Sequence, residues 1–150
     1  MKTRISLTKW LLVGLLIASG YAAWNWWRPY DWHPDAGARY RIVGVVVTRD
    51  HDHHWVDVQL KRAGEAGHDL TKPVRLVLAG GRELEPADTR LGGGPDEGMA
   101  ELGFKFWLDP GDLAGSLRLR LNEGELRVKT SSGEPALGLS GRKYFNSTDW

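Results

Sequence analysis

From residue 40 onward apolar and polar positions alternate with a period of two, the spacing of side chains on a pleated strand. HWVDVQLK (54–61) sets Val56, Val58 and Leu60 on one face and Trp55, Asp57 and Gln59 on the other. PVRLVLA (73–79) turns Val74, Leu76 and Leu78 inward, and ELGFKFWLD (101–109) does so with Leu102, Phe104, Phe106 and Leu108. SLRLRL (116–121) presents Leu117, Leu119 and Leu121, and ELRVKT (125–130) presents Leu126 and Val128. YRIVGVVVT (40–48) is β-branched and nearly continuous, so it reads as a strand without a clear polar face. RAGEAGHD (62–69) is a loop and DPGDLAG (109–115) a bend. The glycine-rich 80–98 region has room for one or two short edge strands, and 136–146 for a last one. No segment after residue 40 carries helical periodicity. Six to eight strands at this spacing predict an all-β domain over 39–150: an immunoglobulin-like β-sandwich, with a small β-barrel as the alternative.

The N-terminus follows another pattern. WLLVGLLIASGYAAW (10–24) is uncharged, preceded by Lys2, Arg4 and Lys9 and followed by a cluster of tryptophans. Extended to Trp27 it spans 18 residues, about 27 Å as a helix, close to a bilayer core of about 30 Å. Trp10 at one end and Trp24, Trp26, Trp27, Tyr30 and Trp32 at the other match the preference of aromatic rings for the membrane interface. The expected organisation is a cytosolic basic tail (1–9), a transmembrane signal-anchor helix (10–27), a Pro-bearing juxtamembrane tether (28–38) and the exported domain. The basic tail places the single-pass chain in the inner (cytoplasmic) membrane with its C-terminal domain outside the cytoplasm. The alternative is a cleaved signal peptide, for which Ala18, Gly20, Ala22 and Ala23 offer small residues, and a periplasmic or secreted product.

Composition narrows the function. The chain has 150 residues and no cysteine, which excludes disulfides, thiolate metal sites and cysteine nucleophiles. Without Lys2, Arg4 and Lys9, 17 basic residues face 19 acidic ones, so the body lacks the basic footprint of a nucleic-acid binder. Its serines lack a nucleophile-elbow pattern, and its glycine runs (80–81 and 92–94) open no helix that could cradle phosphate. The paired acids Glu83/Glu85 and Glu123/Glu125 fall at turns and strand edges. The chain is therefore expected to be non-catalytic.

Three stretches are candidates for contact. DHDHHW (50–55) joins two strands; an extended chain puts His51 and His53 on one side, with Asp52, His54, His33 or His68 as further ligands. Imidazole suits zinc, copper or nickel, although two neighbouring ligands alone make a weak, exchangeable site. Soluble turn residues are the plainer explanation, and no cofactor is otherwise implied. In SLRLRLNEGELRVKT a turn at Glu123-Gly124 would pair Asn122 with Glu125, Arg120 with Arg127 and Arg118 with Lys129. Four like charges on one face repel, so Glu101 and Asp57, or an anionic partner, should offset them. In YFNSTDW (144–150), Tyr144, Phe145 and Trp150 either pack back on the domain or dock on a partner, and Asn146-Ser147-Thr148 fits the glycosylation pattern. The expected function is an interaction or scaffolding module of an envelope complex, touching the bilayer and a protein partner, with Trp55 and Trp107 facing outward. Metal binding or sensing at the histidine turn is the alternative.

Overall fold

The computed structural model describes residues 7–150; most of the basic tail, including Lys2 and Arg4, lies outside them. A helix, α1 (Leu7–Trp27), precedes a body of two antiparallel sheets. None of the α1 residues is buried, and the helix is long and apolar enough to cross a membrane or serve as a signal anchor. Its 21 residues span about 32 Å.

The strands are β1 (Tyr40–Asp50), β2 (His53–Arg62), β3 (Arg75–Leu78), β4 (Glu83–Leu84), β5 (Asp88–Gly92), β6 (Glu101–Leu108), β7 (Leu117–Leu121), β8 (Gly124–Lys129) and β9 (Arg142–Phe145). One sheet has the order β5-β6-β2-β1-β9 and the other β4-β3-β7-β8. The sheets do not close on each other, which corrects the barrel alternative: the body is a sandwich. Its core holds the inward sets expected from alternation, including Val56, Val58, Leu60, Leu76, Leu102, Phe104, Phe106, Leu119 and Val128. The bend at 109–115 contains a short helical turn, α2 (Pro110–Leu113), with Pro110 in its first turn, where a missing N–H costs nothing.

Strand β1 has a structural reason for its unbroken apolar run. Its pairing with β2 shifts between Ile42 and Gly44, so Val43 is an extra residue. A bulge of this kind reverses which parity faces inward. Tyr40 and Ile42 point into the core before it, and Val45 and Val47 after it. Gly44 is needed here because the Tyr144 ring lies across it. A Cβ would come within 2.4 Å of two ring carbons, and the Tyr144 hydroxyl donates to the Val43 carbonyl at 3.0 Å.

The 28–38 segment does not hang as a free tether from Tyr30 on. Tyr30 is buried in the core, and its hydroxyl donates to the Val128 carbonyl. Asp35 accepts from the Glu125 N–H at 3.0 Å, and a 3-10 turn at Ala36–Ala38 buries Ala38. Aromatic and proline content suggested an exposed linker; the deciding interactions are with β8, about ninety residues away in sequence, where local pattern is silent.

Candidate functional site

The histidine turn is a two-residue hairpin connection. Asp50 faces His53 across the ladder, leaving His51 and Asp52 in the turn. His51 takes the left-handed conformation (φ 55) that such turns demand and that histidine adopts more readily than most residues. The imidazoles then diverge. His51 is exposed and its Nδ1 lies 2.7 Å from the Asp50 carboxylate. His53 lies on the outer face, with Nε2 2.9 Å from Asp109. His54 points the opposite way, as the pleat requires, and is only 6% exposed. Its Nδ1 has no partner, and burial, assisted by Arg49, pushes the imidazole below its ordinary value despite the opposing pull of Glu134. Asp52 is exposed in the turn, and His68 hydrogen-bonds Asn122 at 2.8 Å elsewhere. Among the described residues no three His, Asp or Glu side chains converge on a metal-sized site, so the expected set His51, Asp52, His53 and His54 is not brought together. Alternation holds along β2, but the turn breaks it at His51.

What His53 joins instead is an aromatic cluster on the outer face of β2 and β6. Trp55 and Trp107 are direct cross-strand partners, with ring centroids 4.4 Å apart in an edge-on arrangement. The His53 ring stacks on Trp107 at 4.8 Å. The Lys105 ammonium sits 4.6 Å from the Trp55 ring centre, a favourable cation–π position. Asp50 accepts the Trp55 indole N–H at 3.0 Å, and the hydrogen bonds from His51 and Trp55 hold its carboxyl below the usual range. Trp107 remains 38% exposed. The strands thus fix a rigid, partly open aromatic group flanked by His53, Lys105 and Asp109. Trp55 and Trp107 were legible as outward residues; their pairing required the β2–β6 register.

The cation ladder is rearranged. Leu121 pairs with Gly124, so the turn residues are Asn122 and Glu123, one position earlier than expected. Asn122 adopts φ 54, tolerated by its short polar side chain. Gly124 is a strand residue, demanded by packing: a Cβ there would lie 2.2 Å from the Ala38 nitrogen. Arg120 consequently faces Glu125 and Arg118 faces Arg127. Each exposed cation has its own acid: Arg118 bonds Glu125 at 2.8 Å, Arg120 bonds Glu83 at 2.5 Å and Arg127 bonds Asp31 at 2.6 Å. Burial alone would raise the Asp31 carboxyl, but hydrogen bonds from Arg127 and the His33 N–H outweigh it and hold it low.

Lys129 leaves the patch altogether. A register shift near Leu117 turns it inward, where it is 1% exposed and donates to the carbonyls of Ser131 (2.6 Å) and Gly115 (3.2 Å). Burial pushes its ammonium below the ordinary value. The expected neutralising acids serve the other sheet, Glu101 with Lys61 and Asp57 with Arg90, because strand alternation does not reveal which sheet a strand joins. The paired acids are also spent in ion pairs: Glu85 with Arg75, and Glu123 with Arg39 and Lys72.

At the C-terminus Phe145 and Trp150 are core residues, not docking residues. Their rings stack at 4.6 Å, and Trp150 is 7% exposed. The indole N–H is shared between the Tyr30 hydroxyl (2.7 Å) and the Val128 carbonyl (3.0 Å). Burial pushes the Tyr30 phenol well up, only partly opposed by the Trp150 bond. Tyr144 alone stays open, at 54% exposure, and its hydroxyl is bound to Val43.

Along and just beyond α1, Trp10, Trp24, Trp26, Trp27 and Trp32 are all exposed, while Tyr30 is not. Trp24 and Trp32 approach to 6.1 Å between ring centres. No protein-family model, no curated protein and no solved structure matches this chain.

Proposed function

We propose that this protein is a single-pass membrane protein of the cell envelope whose sandwich, held at the outer surface of the inner membrane, is a non-catalytic interaction module for a protein partner. The observation that carries this reading is the seating of Tyr30. The helix ends at Trp27 and Tyr30 is already in the core, so the body begins three residues beyond the apolar segment. A domain fixed this close to a bilayer presents its faces at a set height and orientation. The basic Lys2, Arg4 and Lys9 support an orientation with the body outside the cytoplasm.

The partner face is the Trp55–Trp107 cluster. Tryptophan is enriched at the centres of protein interfaces, where a rigid ring gives large contact area at small entropic cost. An immunoglobulin-like assignment is supported by strand order. With β1 and β2 as strands A and B and β3 to β8 as C, C′, D, E, F and G, the sheets read D-E-B-A and C′-C-F-G, the order of that architecture with β9 added beside A.

A photo-reactive phenylalanine analogue at Trp107 in the full chain, irradiated in intact membranes, tests the function. One discrete protein adduct from position 107, and none from the exposed Leu139, supports the partner face. No adduct from 107, or the same adducts from both positions, contradicts it.

A further inference from the structure

We propose that the end of α1 forms a phospholipid site in which Arg28 binds the lipid phosphodiester. The inference rests on the membrane-anchored reading above.

Arg28 lies in the wall between two neighbouring cavities. One, of about 250 Å³, is apolar and lined by Trp24, Trp27, Pro29 and Trp32. The other, of about 350 Å³, is mixed, with Tyr30 and Trp32 beside Asp31, Arg127, Thr148 and Asp149. The Arg28 guanidinium has unmet hydrogen-bonding capacity. Its Nε is buried without an acceptor, and one Nη reaches only the Asn146 side-chain oxygen, at 3.3 Å. Its acidic neighbours are engaged: Asp31 by both nitrogens of the Arg127 fork and Asp149 by the Thr130 hydroxyl at 3.1 Å. Nε is closed to an incoming ligand, so a phosphodiester would be met by the Nη nitrogens, whose planar charged fork matches two phosphate oxygens.

Position selects the source of that phosphate. An α1 of about 32 Å delivers Arg28 to the headgroup layer when the helix crosses a core of about 30 Å. Indole rings at the same level favour the glycerol and upper acyl region. The apolar cavity therefore faces the chains and the mixed one, which carries the charged side chains, faces the headgroup, with Arg28 between them.

The test uses the full chain in nanodiscs of equal parts phosphatidylethanolamine and phosphatidylglycerol, moved into mild detergent and weighed by native mass spectrometry. One phospholipid retained per chain is expected. Arg28→Gln should lower retention about tenfold or more, Arg28→Lys by less, and Trp32→Ala should weaken it with Arg28 intact. Retained lipid should withstand excess inorganic phosphate; displacement by phosphate would overturn the lipid source. Equal retention by the native chain and Arg28→Gln, or no retention by either, would overturn the site. Carbonate washing of the same membranes keeps the two ideas distinct. Protein that pellets but retains no lipid contradicts this site alone, whereas native protein released into the supernatant contradicts the anchor. An unchanged melting temperature for Arg28→Gln shows that lost retention is not unfolding.

Discussion

The Trp150 indole N–H donates at 2.7 Å to the Tyr30 hydroxyl, joining the last residue of the chain to the segment just beyond the apolar helix. Tyr30 in turn donates to Val128 on β8, so β8 is bound by both ends of the body. Only Arg28 and Pro29 separate the end of the helix from this buried ring.

Trp150→Ala should cost about 3–5 kcal/mol, the usual loss for a large buried ring. Tyr30→Phe should cost about 1–2 kcal/mol, because it leaves the Val128 carbonyl with only the indole donor. Denaturant unfolding of the full chain in micelles, followed by the strand signal in circular dichroism, measures both. Loss of residues 146–150 should act like Trp150→Ala; an unchanged midpoint would mean that the ring is not seated.

Two glycines should respond differently to alanine. At Gly124 the obstacle is the backbone of Ala38, which cannot move without lifting the 3-10 turn, so Gly124→Ala should cost about 3 kcal/mol or more. At Gly44 the obstacle is the Tyr144 side chain, which can swing away, so Gly44→Ala should cost about 1–2 kcal/mol. In a Tyr144→Ala background the same Gly44 change should be neutral or slightly stabilising, since alanine then restricts only the unfolded chain. A double-mutant cycle reads this coupling.

Acid should weaken the fold in two steps. The His54 imidazole is held below its unfolded value by burial and Arg49. The unfolded chain therefore takes up a proton first, and stability falls as pH drops below about 6.5. The slope contributed by one proton is at most about 1.4 kcal/mol per pH unit, and His54→Leu should remove it. Asp31 is also depressed, so its contribution is complete above the unfolded carboxyl value and is lost as pH falls through the lower folded one. Asp31→Asn should shrink that second step without abolishing it, since the Asp50, Asp69 and Glu123 carboxyls are held low as well, and should cost on the order of 1 kcal/mol near neutral pH, the range of a partly exposed pair. Unfolding midpoints measured from pH 7 downward separate the two.

The inward faces of β2, β3, β6, β7 and β8 were legible because period two is a local property, and each strand kept its register with itself. What escaped sequence reading depended on contacts between distant segments. The β1 faces change sides at a bulge that Tyr144, a hundred residues away, covers. Gly124 resembled a turn glycine, but close approach of Ala38 placed it in the strand and moved the turn to Asn122-Glu123. Lys129 carried the alternation of an outward cation, yet the register shift beside Leu117 turned it into the core. The histidine cluster was visible as composition, but hairpin geometry sends His51, His53 and His54 in different directions. The outward positions of Trp55 and Trp107 could be read directly; their edge-on pairing and the stacking of His53 on Trp107 could not.

The most direct test is the intact mass of the chain in membranes washed with alkaline carbonate. A retained helix fused to a folded body predicts the uncleaved chain, with Trp10 through Trp27 present, in the pellet. A shortened chain beginning beyond Ala23 and recovered in the supernatant would contradict it.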